Sequence, residues 1–166
     1  NFGADLRYAL VLSRHILSIE TVGQTSFSDS TDHGAVQRND ASFAIKDDFR
    51  LGSFDVSASL LGAYVTGFGL NLMPGLSVHR NLTETTDFRI SAGRSFRAPA
   101  LDELFHPNQR GFVGNPNLTP ESAWEAEMGL RWKWAPGHII DFSGFARRLD
   151  DMILYQILKW LLPHHL

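Results

Sequence analysis

Glu125 and Glu127 stand two positions apart, a spacing that puts both carboxylates on one face of a strand, where an acid/base pair would sit. Arg131 and Lys133 fall in the same phase. A face carrying both signs fits a water-filled wall better than the paired carboxylates of a hydrolase. The seven histidines make no metal site. His15, His33, His79, His106 and His138 are scattered, with no carboxylate at ligand spacing on a shared element, and His164-His165 is an adjacent pair near the last residue. Gly62 to Gly69 contains glycines but no following helix or lysine, so it does not cradle phosphate. With no cysteine there is no thiolate nucleophile, disulfide or thiolate zinc site, and no hydroxyl nucleophile has a base nearby in sequence. The residues imply no enzyme, no metal and no cofactor. Fifteen basic against 18 acidic side chains, a net charge of −3, give no electrostatic case for nucleic acid.

The elements that position these charges have period two. From Trp124 to Trp134 one face carries Trp124, Ala126, Met128, Leu130, Trp132 and Trp134, and the other Glu125, Glu127, Gly129, Arg131 and Lys133. A strand satisfies that alternation. Thr119-Pro120-Glu121 also has the form of a helix start, but a helix would scatter the two later tryptophans. Asp87 to Phe96 alternates in the same way, with Arg94 as the one charge on its apolar side. Phe54 to Tyr64, Phe43 to Phe49 (interrupted by Asp47), Leu72 to His79 and Ile140 to Arg147 follow, with weaker copies at Leu6 to Leu12 and Leu17 to Phe27. About eight strands result, each near the ten residues that cross a bilayer at a tilt.

The connections alternate in length. Leu51 to Ser53, Asn81 to Thr85 and Ala135 to Gly137 are short; Ser28 to Gln37 and Arg97 to Pro120 are expected to be long loops, with Thr66 to Gly69 a short exception. Outer-membrane barrels have this asymmetry. Phe49, Phe54, Trp132 and Trp134 border short turns, and Phe27, Tyr64, Phe96 and Trp124 border the other end, as two aromatic belts would. Alternation alone leaves a soluble sandwich equally open. No run of 18 apolar residues offers a membrane-spanning helix.

Two separated motifs break that tie. Phe96-Arg97-Ala98-Pro99 runs into Glu103-Leu104, and Gly114-Asn115-Pro116-Asn117-Leu118-Thr119-Pro120-Glu121 follows. Their order and spacing closely resemble the late-barrel signature of TonB-dependent outer-membrane receptors. Weaker similarity at Arg38 to Ala44, Met73 to Val78 and Arg147 to Ile153 extends the resemblance over roughly 15–155.

The resemblance implies an all-β fold, an antiparallel up-and-down meander of about eight strands forming part of a 22-stranded transmembrane β-barrel. It implies a bacterial outer-membrane location, lipid around the wall, and uptake of a small ligand such as a metal chelate (a ferric siderophore) or cobalamin. Uptake would be energised by TonB through a plug domain that this stretch does not contain. The expected organisation is a partial barrel over 1–155 and a divergent tail over 156–166, the whole being an internal piece of a longer receptor. Glu125, Glu127, Arg131, Lys133, Asp141 and Arg147 would line the lumen. Gln109, Arg110, Phe112 and Asn115 would meet ligand at the mouth, with Arg97 and Glu103 tying the loop base to the rim. A closed eight-stranded anchor barrel and a soluble β-sandwich binding module are the alternatives.

Overall fold

The computed structural model describes residues 2–30, 34–106 and 113–153. The expected tail at 156–166 lies outside them. The chain forms β1 (Phe2–Val11), β2 (His15–Ser30), β3 (Gly34–Leu51), β4 (Phe54–Val65), β5 (Gly69–Asn81), β6 (Thr86–Arg97), the single-turn helix α1 (Leu101–Phe105), β7 (Glu121–Ala135) and β8 (His138–Asp150). All eight strands belong to one antiparallel sheet in chain order. Among the described residues β1 pairs only with β2 and β8 only with β7, so the sheet is open and single-layered. That arrangement is neither a closed eight-stranded barrel nor a sandwich.

Strand length follows from the slab the strands cross. The 12 residues of β4 rise about 40 Å, which a 45° tilt reduces to about 28 Å, near the thickness of a hydrocarbon core. β3, with 18 residues, is longer than that crossing requires. Its excess corrects one expectation. Ser28 to Gln37 is not a long loop, because β2 and β3 stay paired through Ser28↔Val36, Asp29↔Ala35 and Ser30↔Gly34. The polar composition of this stretch marks where the strands leave the apolar zone, and the backbone ladder continues past it.

Register turns the single-strand alternations into two continuous faces. Across β6, β7 and β8, Phe88↔Leu130↔Phe142 and Ile90↔Met128↔Gly144 share one face, while Asp87↔Arg131↔Asp141 and Gly93↔Glu125↔Arg147 share the other. The apolar face is bare. Leu6 is 69% exposed, Met128 54% and Phe142 61%. An apolar surface of this extent is unstable against water and suits lipid. Apart from Gly62 and Gly129, which the Phe43 and Arg89 side chains cover, burial among the described residues falls on four residues at the end with the longer connections: Val65, Pro99, Leu104 and Ala123. At the opposite end the chain reverses tightly, with Gly52 and Gly137 at φ of 61° and 77°, a conformation that side chains with a Cβ resist.

Asp47 and Arg94, two of the charges that interrupt the apolar face, have partners. The carboxylate of Asp47 lies 2.9 Å from His15 Nδ1, whose ring stacks on Phe49 with centroids 5.3 Å apart. Arg94 donates Nη1–H to the Leu72 carbonyl at 2.8 Å. That carbonyl is accessible because the β5–β6 ladder runs only from Gly75↔Gly93 to Asn81↔Asp87. The next residue on β5, Pro74, has no N–H to extend it.

Candidate functional site

Directly after β6, Ala98 to His106 fold back over the polar face. Arg38 of β3 donates Nη1–H to the Pro99 carbonyl at 2.7 Å, and α1 lies against β2. The strap from Ala98 to His106 therefore crosses the mouth of the sheet between strands far apart in the order. Pro99, within the strap, is fully buried.

Arg97, the last residue of β6, is the hub of this strap. Its Nε donates to Glu121 Oε2 at 2.7 Å and its Nη1 to Glu103 Oε2 at 2.9 Å. Glu103 Oε2 also accepts the Ala100 N–H at 2.7 Å, which fixes the start of α1. The Glu103 carbonyl accepts the Asn115 N–H at 2.9 Å, closing the strap onto the returning chain. Glu121 Oε1 accepts the Ile153 N–H at 2.6 Å, joining the chain beyond β8 to the same knot. The Glu103 and Glu121 side chains are only 10% and 18% exposed, so these bonds are partly shielded from water. Gly114 completes the closure. It donates its N–H to the His106 carbonyl at 3.0 Å, and a Cβ there would strike the backbone at His106, Leu104 and Phe105.

The motif residues thus have distinct places. Phe96 is on the apolar face, Arg97 on the polar face, and Ala98 and Pro99 lead into the strap. Glu103 and Leu104 are in α1, and Gly114, Asn115, Pro116, Leu118 and Pro120 form the return to Glu121. Asn115 shapes its own turn, its Oδ1 accepting the Asn117 N–H at 3.0 Å. Gln109, Arg110 and Phe112 lie outside the described residues.

Below the mouth, the polar face carries a charged ladder. Arg147 Nε lies 3.1 Å from Glu125 Oε1, and Arg131 Nη2 lies 3.0 Å from Asp141 Oδ2. Arg89 grips both Asp141 oxygens at 2.8 and 3.2 Å and approaches Glu127 at 3.8 Å. Glu125, Glu127, Arg131, Asp141 and Arg147 are therefore brought together as one wall, and Lys133 shares their face. The sequence reading missed Arg89 and Arg38 as members. Both stand in the polar phase of their strands, but their partners are set by register and crossover. The reading also missed Ile139, Phe145 and Leu149, which put apolar surface on the otherwise polar face of β8.

The family model "TonB dependent receptor-like, beta-barrel" matches residues 2–159. The chain belongs to this family. It is an outer-membrane β-barrel protein, its apolar face toward lipid and its polar face toward the lumen. The vitamin B12 transporter BtuB of Vibrio vulnificus (strain YJ016) is 25% identical over 126 residues, 76% of this chain and 20% of the relative. Lactoferrin-binding protein A of Neisseria meningitidis serogroup B is 34% identical over 95 residues, 54% of this chain and 10% of that protein. The chain thus spans only a small part of the relatives it matches. Among solved structures, the siderophore receptor PirA of Pseudomonas aeruginosa superposes with a TM-score of 0.77 at 20% identity, covering 89% of this chain and 30% of that one. The ferric enterobactin receptor PfeA of the same species, in complex with enterobactin, gives 0.66 at 16% identity, covering 86% of this chain and 26% of that one. This TonB-dependent receptor barrel segment shares their fold.

Proposed function

We propose that the chain is wall and mouth of an outer-membrane receptor that takes up a scarce nutrient of the ferric siderophore or cobalamin class, driven by TonB. One observation carries this reading: a strap anchored by Arg97 folds over the lumen face, directly above a wall of paired charges. An anchor barrel needs only its outer face, and has no use for a shaped mouth over a polar lumen. The relatives support the reading, since two are a vitamin B12 transporter and a siderophore receptor. The short turns at Gly52 and Gly137 then face the periplasm and the strap faces the outside.

In this reading ligand meets the segment between His106 and Val113 first, with Gln109, Arg110 and Phe112 as contacts and Asn115 beside them. Glu125, Arg147, Asp141 and Arg131 line the path within, and the chain performs no covalent chemistry. TonB would act through a plug domain contributed by the rest of the receptor.

Uptake of labelled ferric siderophores and cobalamin by cells carrying the full-length receptor tests this. The reading expects uptake of one ligand class, abolished when TonB is deleted, and weakened by Arg110→Ala with Phe112→Ala. Uptake that persists without TonB, or no uptake of any such ligand, would contradict it.

A further inference from the structure

We propose that Glu121 is a positioning residue that locks two mouth-end connections into one moving unit: the strap after β6, and the turn at 151–153 after β8. This goes beyond the uptake reading and holds whatever ligand is carried. Glu121 opens β7 opposite Arg97, the last residue of β6, and lies one residue past Ser122↔Asp150, the outermost pair with β8. Its two carboxylate oxygens serve different neighbours. Oε2 accepts the Arg97 Nε–H at 2.7 Å, and Oε1 accepts the Ile153 N–H at 2.6 Å. Arg97 holds the strap with its other arm, Nη1 donating to the two Glu103 oxygens at 2.9 and 3.1 Å.

The backbone after β8 supplies a second observation. Asp151 has a φ of 57°, the one non-glycine residue in the left-handed region among those described. Aspartate tolerates that conformation better than most side chains, but it still costs free energy. The chain turns there, and two residues on the Ile153 N–H meets Glu121. The strained turn is thus held by the same carboxylate that holds Arg97, and it relaxes when that contact is lost.

Guanidinium and carboxylate are both planar, so each fixes the directions of two bonds at once. When the strap lifts, Nη1 follows Glu103, the guanidinium plane turns, and Nε–H leaves Oε2. The Glu121 carboxylate then rotates off Ile153, and the turn at Asp151 opens. Coupling is reciprocal, so loss of the Ile153 bond loosens the strap in turn. The Glu121 side chain is only 18% exposed, so water does not readily replace either bond.

The full-length receptor in lipid nanodiscs, spin-labelled at Met152→Cys, tests the coupling with no ligand present. Met152 is exposed and accepts a label. Glu103→Gln changes only the strap, yet it should raise the mobile fraction at position 152 about fivefold. Ile153→Pro removes only the N–H after β8, yet it should speed protease cleavage of the strap about fivefold. If Ile153→Pro does not fold, Asp151→Val should loosen the strap in its place, because a branched side chain resists positive φ. A label unmoved by Glu103→Gln, or strap cleavage unmoved by the variants after β8, would overturn the proposal. Mobility at 152 released by Glu121→Ala alone would make Glu121 a local brace, and would overturn it too. Uptake is measured separately, so failure of the ligand reading and failure of the coupling are told apart.

Discussion

Arg89 and Asp141 belong to strands that are not neighbours, yet their charged groups meet at 2.8 and 3.2 Å. Strand β7 runs between them. Arg89 crosses it over Gly129, where an added Cβ would come 2.6 Å from the guanidinium carbon. The glycine in the polar phase of β7 is thus a gap in the side-chain layer, through which a cation on β6 reaches an anion on β8. Arg131 meets the same carboxylate from β7 itself, so three strands of the lumen wall share one charge cluster.

Gly129→Val should disconnect this cluster without disturbing the ladder. In wild type, Asp141→Asn and Arg89→Gln should be coupled in a double-mutant cycle of unfolding in detergent. In the Gly129→Val background the coupling should vanish. Coupling that survives the valine would mean that the contact does not pass over Gly129.

The Arg97 knot should matter more to the mouth than to the barrel. Removing Arg97 takes one cation away from the partly shielded Glu103 and Glu121 carboxylates, at a cost of about 1 kcal/mol after allowing for solvent around Arg97. Arg97→Ala should therefore speed proteolytic nicking between Ala98 and Pro120 severalfold while the folded, heat-modifiable band on gels remains. Arg97→Lys should nick at an intermediate rate, because a single ammonium lacks the fork that spans two carboxylates.

Gly114→Ala should release the same strap by a different route. Its Cβ would meet backbone atoms, including the Leu104 carbonyl oxygen at 2.7 Å, and backbone cannot move aside as a side-chain tip can. The expected result is loss of ligand uptake with normal outer-membrane abundance. Wild-type uptake in this variant would show that closure of the strap is dispensable.

The two faces of β7 should respond oppositely to charge. Met128→Arg places a cation against lipid and should cost about 2–4 kcal/mol of barrel stability. Glu127→Arg, one residue away on the lumen face, should cost far less. Urea unfolding in lipid vesicles, followed by tryptophan fluorescence, measures both. Similar costs would contradict the facing assigned to the strand.

The wall was legible in the sequence because a barrel strand has water on one side and lipid on the other. Trp124 to Trp134 therefore writes its two faces out residue by residue, and β7 spans Glu121–Ala135 as that pattern required. The tight turns at Gly52 and Gly137 were legible for a local reason, their backbone conformation. The paired extension of β2 and β3 past Phe27 was not, since backbone hydrogen bonding carries no side-chain signature once a strand leaves the slab. At the mouth, Arg97 and Glu103 are six residues apart, and their tie could be expected from spacing. Glu121, Arg38 and Ile153 join the strap through the register of distant strands, which no local pattern encodes. The reach of Arg89 to Asp141 was hidden for the same reason.

The central claim is that one face of this sheet meets lipid and the other lines an aqueous path, and β7 offers its most direct test. This stretch contains no native cysteine, so single cysteines can be placed from Trp124 to Trp134 in the full-length receptor. Labelling in intact outer membranes with a charged maleimide and with a lipid-soluble one should alternate. Positions 125, 127, 131 and 133 should take the charged reagent, and positions 126, 128, 130 and 132 only the lipid-soluble one. Uniform labelling, or a period of three to four residues, would contradict the account.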